Sequence, residues 1–135
     1  MSNITEAVSK ELNMTTLYRG ILASGITGFL NNGDLYTFFA PSDTAFRKLP
    51  EGIINDLLKP ENKPRLVQLL RNHIVAGKLN FKDLQNGDKL KTLDGDELLV
   101  TENWGKTSIN NSVIQNGDIE ASNGTLHSLD KVLLN

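Results

Sequence analysis

Two histidines, His73 and His127, are the side chains of this 135-residue chain best suited to acid–base catalysis or metal binding. A serine nucleophile needs such a base held beside it, but no serine lies in the G-x-S-x-G pattern that marks one common arrangement. A catalytic zinc site usually shows two histidines close together in the sequence, whereas these two lie far apart. The sequence therefore gives neither histidine a catalytic or metal-binding partner.

Other reactive groups are equally sparse. The chain contains no cysteine, which excludes disulfide bonds and thiolate metal sites. It contains neither a Walker A loop nor G-x-G-x-x-G, so no phosphate-binding loop is evident, and its acidic residues form no obvious catalytic pair. We predict that the protein is not an enzyme and binds no cofactor and no metal ion. A hydrolase whose residues meet only in space is the less favoured alternative.

Both histidines are predicted to belong to the core. His73 shares the apolar face of a predicted helix that ends near Ile74, and His127 lies beside Leu126 and Leu129 in a predicted strand. Since buried polar groups are nearly always hydrogen-bonded, backbone or acidic groups should satisfy the ring nitrogens. The alternative, a ligand or adhesion residue, requires these side chains to lie at the surface.

A further group of polar residues lies in the segment TFFAPSDTAFRKLP, from Thr37 to Pro50. Its pattern predicts a buried strand, a proline corner and a short helix through Leu49 that is capped by Ser42. Asp43 should lie in the first turn of that helix, where a carboxylate interacts favourably with free N–H groups. We predict that Asp43 is a structural hydrogen-bond acceptor; a ligand-binding loop is the alternative.

The elements that position these residues are mainly helical up to about residue 77. An Asn3–Glu6 capping box opens the first helix, Gly25 ends the second, and Pro64 opens the longest. A buried strand, Leu35–Ala40, and a short helix, Ile53–Leu58, lie between them. The predicted apolar helix faces are Ile4, Ala7, Val8 and Leu12; Met14, Leu17, Tyr18, Ile21 and Leu22; and Leu66, Val67, Leu70, His73 and Ile74.

After residue 77, Asn-Gly and Asp-Gly turn signals separate short strand candidates. Turns are predicted at 86–87, 94–95, 116–117 and 123–124, as at 32–33 earlier in the chain, and Trp104–Gly105 should join two strands. The predicted strands are Lys89–Leu93, Glu97–Glu102, Lys106–Ile109, Asp118–Ala121 and Thr125–Leu134. Helices first and strands later predict an α+β fold with an antiparallel sheet. Without a repeat or a low-complexity linker, we predict one domain over residues 1–135.

Composition excludes several classes of protein. Hydrophobic residues make up 39% of the chain and charged residues 22%, as in ordinary soluble globular proteins. The net charge is -2 and no basic block is present, so nucleic acid is not an expected partner. No apolar run approaches the roughly 20 residues of a membrane helix. No secretory leader follows Met1, which predicts either a cytoplasmic protein or a mature form whose leader was removed.

Two separated motifs resemble the signature sequences of the fasciclin (FAS1) domain family. TFFAPSDTAF, Thr37 to Phe46, resembles the first signature, and NGTLHSLDKVL, Asn123 to Leu133, resembles the second. Between them, LLRNHIVAGKL resembles the family's Tyr-His segment, and SINNSVIQNGDIEASNG resembles its Ile-Asn, Asp-Ile and Asn-Gly run. The order and spacing of these segments agree with the family from about Ile4 to Leu134.

The resemblance implies a wedge-shaped FAS1 fold, an antiparallel β-sandwich flanked by several short helices, in which the signature motifs build the core. It also implies a non-catalytic adhesion or interaction module that is secreted, periplasmic or surface-anchored, like the single-domain bacterial members. The expected partner is a protein or glycan at the cell surface, and the expected state is a monomer. A second hypothesis from the resemblance is a binder of an apolar lipid or pigment between the helices and the sheet.

The sequence departs from the family's pattern at several positions. Asn72 stands where animal adhesion members have a Tyr implicated in integrin binding, so integrin binding is not implied here. Ser128 replaces the hydrophobic residue usual after His127, and Asn135 replaces a frequent Pro. Trp104 is a candidate contact residue because tryptophan is enriched at interface hot spots. The candidate interaction residues are Asp43, Asn72, His73, Ile74, Trp104, Asp118, Ile119 and His127.

Overall fold

The computed structural model describes residues 3–30, 33–50 and 52–133. Within these ranges, the α-helices come first and most of the β-strands follow. The helices are α1 (Ile4–Lys10), α2 (Thr15–Ser24), α3 (Ile26–Leu30), α4 (Asp43–Arg47), α5 (Ile53–Leu57) and α6 (Lys63–Arg71). The strands are β1 (Tyr36–Pro41), β2 (Ile74–Ala76), β3 (Lys89–Lys91), β4 (Glu97–Asn103), β5 (Lys106–Ile109), β6 (Ser112–Ala121) and β7 (Gly124–Leu129). Short 3₁₀ segments lie at Pro60–Asn62 and Phe81–Asp83.

Local sequence signals set several helix ends. The predicted capping box is confirmed: the Asn3 side chain accepts a hydrogen bond from the Glu6 N–H at 2.9 Å, and Glu6 Oε1 accepts one from the Asn3 N–H at 3.3 Å. Ser42 Oγ accepts from the Ala45 N–H at 3.2 Å, so Ser42 is the predicted N-cap of α4. Gly25 ends α2 at φ 72°, a left-handed conformation that glycine adopts without strain.

The strands form a curled sheet in the order β2-β1-β7-β6-β5-β4-β3. Only β1 and β7 pair in parallel among the described strands, and every other neighbouring pair is antiparallel. The two ends of the sheet meet, because Val75 of β2 forms a bridge with Thr92 and the Leu93 N–H donates to the Ile74 carbonyl at 2.9 Å. The predicted α+β fold is therefore confirmed, with one parallel pair inside a mainly antiparallel sheet.

The curled sheet separates two hydrophobic cores. Phe38 of β1 packs under the helices, whereas its neighbour Phe39 packs inside the sheet, as expected for alternating strand residues. Both predicted motif strands are buried, since Phe39 and Leu129 are each 0% exposed. The inner core comprises Phe39, Val75, Leu84, Leu98, Val100, Ile109, Ile114, Leu129 and Leu133.

Helix ends set by tertiary contacts differ from the prediction. The helix predicted to reach Ile74 ends at Arg71, because Ile74 begins β2 and pairs with Phe38 of β1. The predicted first helix is also too long, since α1 ends at Lys10 and Leu12 is 96% exposed. Leu22 of α2 is 57% exposed, so it does not belong to the buried face assigned to it.

The predicted turn at Asn116–Gly117 is wrong. Both residues lie inside β6, where the register with β7 shifts between Ile114 and Ile119, and Asp118 takes a positive φ of 56°. This segment, 116–118, is the β6 bulge, an insertion that bends a strand locally. The β5–β6 turn is made instead by residues 110 and 111, two asparagines at φ 48° and 69°. The predicted turn at residues 32–33 and the predicted strand end at residue 134 include residues outside the described ranges.

Candidate functional site

The Asp43 side chain forms hydrogen bonds with the start of α2 and not with α4, the helix in which it lies. Its Oδ2 accepts a hydrogen bond from the Thr15 hydroxyl at 2.8 Å, and its Oδ1 accepts one from the Thr16 N–H at 2.9 Å. Met14, the residue before α2, offers no side-chain cap, so the carboxylate of Asp43 supplies the acceptor for the first turn of α2. Asp43 is thus a hydrogen-bond acceptor between two helices, and its side chain bonds these threonines rather than a histidine.

The pKa of the Asp43 carboxyl reflects this position. Partial burial raises the pKa, but the hydrogen bonds from Thr16 and Thr15 outweigh burial and lower it below its ordinary value of 3.8. The carboxylate is therefore charged at neutral pH and interacts favourably with the N-terminal end of α2.

His73 is buried, with 1% of its surface exposed, and bonds the main chain through both ring nitrogens. Nδ1–H donates to the Leu69 carbonyl at 2.8 Å, and Nε2 accepts from the Leu133 N–H at 2.9 Å. The two partners fix the neutral tautomer, because a carbonyl accepts and an N–H donates. Burial lowers the pKa of His73 to about 4, although its bond to Leu69 acts in the opposite direction. His73 therefore ties the end of α6 to the chain after β7.

His127 makes the same kind of link with the opposite tautomer. Its Nε2–H donates to the Leu79 carbonyl at 2.8 Å, and its Nδ1 accepts from the Asp118 N–H at 3.2 Å. Its ring stacks on Phe39 at 5.6 Å and meets the edge of Phe81 at 6.0 Å. Burial lowers the pKa of His127, while the bond to Leu79 and the charges of Asp118 and Glu120 oppose that change.

The β6 bulge positions the backbone that His127 bonds. Asp118 Oδ1 accepts from the Phe81 N–H at 2.7 Å, which fixes the 3₁₀ segment against the bulge. A Cβ on Gly117 would lie 2.4 Å from the Phe81 ring and 3.1 Å from His127 Nδ1, so only glycine leaves room for this ring. The sequence predicts a turn at Asn116–Gly117, because the contact between Gly117 and the distant Phe81 ring is not visible in the local pattern.

The histidines are unsuited to catalysis or metal binding in this arrangement. A general base must reach the proton that it removes, but all four ring nitrogens are already bonded to main-chain groups. No cluster of three or more His, Cys, Asp and Glu side chains that could hold a metal ion lies in the described ranges. The interpretation of His73 and His127 as satisfied core residues agrees with these contacts.

The other candidate residues do not converge on one site. Ile74 is fully buried in β2, and Ile119 is half-buried against the core under the helices. Asn72 is 7% exposed at the end of α6, and its Oδ1 accepts a long bond of 3.5 Å from the Thr92 hydroxyl. Ile74, Ile119 and Asn72 contribute to the packing of the fold. Asn72 also lines a surface groove between α5 and α6.

Unlike these buried candidates, the Trp104 side chain is 100% exposed. It occupies the predicted β4–β5 turn with Gly105, at φ 54° and 80° respectively. Two positive φ values in a two-residue hairpin loop indicate a type I′ turn, in which Asn-Gly is the favoured pair. Tryptophan in the first of these positions is therefore neither packed nor favoured by the turn.

Two spaces near α5 and α6 differ in size and lining. An apolar cavity between α2, α4, α5 and α6 has a volume of about 10 Å³, close to that of one water molecule. The second space, which we call the α5–α6 groove, has a volume of about 350 Å³ and polar as well as apolar walls. Arg65 and Gln68 line this groove. Their spacing along α6 is visible in the sequence, but nothing in the sequence distinguishes them from other polar residues of that helix. Among the described helices, none has both the length and the apolar character needed to cross a membrane.

Comparison with known proteins agrees with this architecture. The solved structure of a FAS1 domain pair from the insect cell adhesion molecule fasciclin I superposes with a TM-score of 0.87. The match covers 99% of this chain and 51% of that one, at 20% sequence identity, and so shows the shared fold.

Sequence relatives extend the comparison. Uncharacterized protein sll1735 of Synechocystis sp. is 35% identical over 99% of this chain and 98% of its own length. The cell surface glycolipoprotein MPB83 of Mycobacterium bovis is 31% identical over 99% of this chain and 55% of its own length. The profile of the fasciclin domain matches residues 12–135. The chain therefore belongs to the fasciclin domain family.

Proposed function

We propose that this chain acts as a single non-catalytic fasciclin domain, residues 1–135, that binds a protein or glycan partner outside the cytoplasm. Its similarity to a cell surface glycolipoprotein and to a domain pair from a cell adhesion molecule supports this role. The hydrogen bonds that occupy both histidines support the absence of catalysis. The observation that carries the proposal is the complete exposure of Trp104.

Trp104 has the properties of a contact residue. A tryptophan side chain buries roughly 150–250 Å² when it is covered, which corresponds to about 4–6 kcal/mol of apolar transfer free energy. Its left-handed backbone costs about 1–3 kcal/mol for a residue other than glycine, and full exposure leaves this cost without compensation from packing. A partner that covers the indole would supply the missing contact, as expected for an interface hot spot.

Binding of an apolar small molecule is supported less well. Ligand pockets usually have volumes of roughly 300–1,000 Å³, whereas the apolar cavity between the helices holds about 10 Å³. A lipid or pigment in that place would have to displace packed side chains such as Leu17, Phe46 and Leu66. Surface contact requires no such rearrangement, and for this reason we place it first.

The proposal is tested by coating beads with the purified chain and counting those retained on cells, and on extracellular material, of the organism that makes it. Trp104→Asn should reduce retention by at least about tenfold, the effect expected for a hot-spot residue. It should leave stability unchanged or raise it, because asparagine suits the turn better.

Leu12→Ser is the matched control, since Leu12 is 96% exposed but lies in the α1–α2 connection. Retention equal to that of the unaltered protein is expected for this variant. Failure of the unaltered protein to bind either surface would refute the proposed function. Equal retention of both variants and the unaltered protein would show that Trp104 is not the contact residue.

A further inference from the structure

The α5–α6 groove combines an apolar wall with hydrogen-bond donors. It lies between α5, α6 and the connection from β3 to β4, and its volume is about 350 Å³. This volume lies within the range of sites that bind small ligands or single peptide side chains. The groove is lined by Ile53, Leu57, Arg65, Gln68, Leu69, Asn72 and Asp96.

Three donor side chains share one face of α6 and its end. Arg65, Gln68 and Asn72 are spaced at three and four residues, which places them in one row along the helix. Among the described residues, neither the Arg65 guanidinium nor the Gln68 amide has a hydrogen bond or an ion pair. The buried Asn72 side chain accepts only the long bond from Thr92, and in the same part of the chain its amide N–H groups have no acceptor. The groove thus presents a positive charge and two amide groups whose N–H donors have no acceptor among the described residues.

The wall opposite these donors is hydrocarbon that the fold leaves half-covered. Ile53 and Leu57 lie on α5, and none of the described residues of this helix is buried. Leu69 continues the apolar surface from α6. An occupant that covered these three side chains would remove apolar surface from water, which favours binding.

We infer that this groove binds an acidic segment of a partner protein, with an aliphatic side chain on Ile53 and Leu57 and a carboxylate on Arg65. Arginine matches a carboxylate through two parallel hydrogen bonds. The Gln68 and Asn72 amides would donate to main-chain carbonyl groups of the same segment. Asp96 lines the groove as well, so a second acid in the segment would be repelled if it came near that side.

A peptide suits this groove better than a fatty acid does. An alkyl chain would cover the apolar wall and place its carboxylate on Arg65, but it would leave the two amides without acceptors. Polar groups that a ligand covers without accepting their hydrogen bonds weaken its binding, because they lose their bonds to water. The inference rests on the proposed function, because it assumes that the partner is a protein.

The probe for this site is the peptide acetyl-Gly-Leu-Gly-Asp-Gly-amide, added to the ¹⁵N-labelled full chain and followed by NMR. Chemical-shift changes should be confined to residues 53–72 and 94–96. The peptide with Asn in place of Asp should bind about tenfold more weakly, since it loses the charged hydrogen bonds to Arg65. Hexanoate should also bind more weakly than the acidic peptide.

Arg65→Gln should weaken binding of the acidic peptide by at least about tenfold. Arg19→Gln is the matched control, because Arg19 is an exposed arginine of α2 that does not line the groove. No shift with the acidic peptide, equal binding to Arg65→Gln, or tighter binding of hexanoate would each overturn the inference. Both variants are also measured in the bead assay: if the peptide does not bind but beads of the unaltered protein are retained, the groove fails and the proposed function stands.

Discussion

Acidification should destabilise the protein through His73. The folded-state pKa of this residue is about 4, below its ordinary value of 6.5, because the ring is buried and Nε2 must accept from Leu133. As the pH falls below 6.5, the unfolded chain binds a proton that the folded chain does not. The contribution of neutral His73 to stability is therefore complete above about pH 6.5, is lost as the pH falls from there to about 4, and changes no further below that pH.

The size of this loss follows from the two pKa values. Their difference of about 2.5 corresponds to a decrease of about 3 kcal/mol in the free energy of unfolding. His127 should add to the loss below pH 6.5, since burial lowers its pKa as well. The stabilising contribution of the charged Asp43 carboxylate is lost only at lower pH, because its pKa lies below 3.8.

Urea unfolding of the full chain at several pH values between 7.5 and 3.5 measures this dependence, and NMR of the ring protons gives the His73 pKa directly. His73→Gln removes the titrating ring, so its stability should fall less steeply between pH 6.5 and 4 than that of the unaltered protein. The variant is expected to be less stable at pH 7.5. The test is therefore how steeply its free energy of unfolding changes with pH, not its stability at one pH. An unchanged slope, or a His73 pKa near 6.5 in the folded protein, would refute the reasoning.

Two predictions concern individual polar side chains and use the same urea assay. Asp43→Ala should lower stability by about 0.5–2 kcal/mol, the usual effect of losing a helix cap, because Thr15 and Thr16 at the start of α2 lose their hydrogen-bond acceptor. Retention of beads coated with this variant should not change. Full stability with lost retention would identify the proline corner before α4 as a binding loop. Ser128→Ala should leave stability unchanged or raise it by about 1 kcal/mol, since its buried hydroxyl has no partner in the described structure. Ser42→Ala is its control and should destabilise, because that hydroxyl caps α4; equal losses in both serine variants would reveal a partner for Ser128.

Sequence reasoning succeeded where a residue acts on its near neighbours. The Asn3–Glu6 capping box, the Ser42 cap and the Trp104–Gly105 turn each depend on a few consecutive residues, so the local pattern contains what is needed to predict them. The burial of Phe39 followed from a continuous apolar run, and the fold class followed from helices that precede short strands.

The failures share a physical cause, which is contact between distant parts of the chain. Ile74 has a helical neighbourhood, but pairing with Phe38 places it in a strand. Asn116 and Gly117 have the composition of a hairpin turn, but the ring of Phe81 and the imidazole of His127 fix them as a bulge. Local propensity is a weak prior that such tertiary contacts override.

The candidate site was only partly predictable for the same reason. The proposed role of Arg65 depends on its lack of an ion pair among the described residues and on the half-covered apolar side chains of the same groove. Neither property is visible in the sequence of α6. Trp104 could be identified because its turn was local. Asp43 was correctly predicted to be an acceptor, but its donors lie on α2, nearly thirty residues earlier in the chain.

The division between motif residues and exposed residues bears on how such a domain could acquire a new partner. The polar atoms of Asp43, His73 and His127 form hydrogen bonds that join α2, the end of α6 and the β6 bulge to the rest of the fold. All of these bonds are to main-chain groups except the one from the Thr15 hydroxyl to Asp43. Replacing them should first change stability, because each loss leaves a buried group without its bond. Trp104 and Arg65 make no comparable contact within the described chain, so replacing them should change binding with little effect on folding. On the proposals made for Trp104 and Arg65, the residues that contact a partner are therefore separate from those that make the fold.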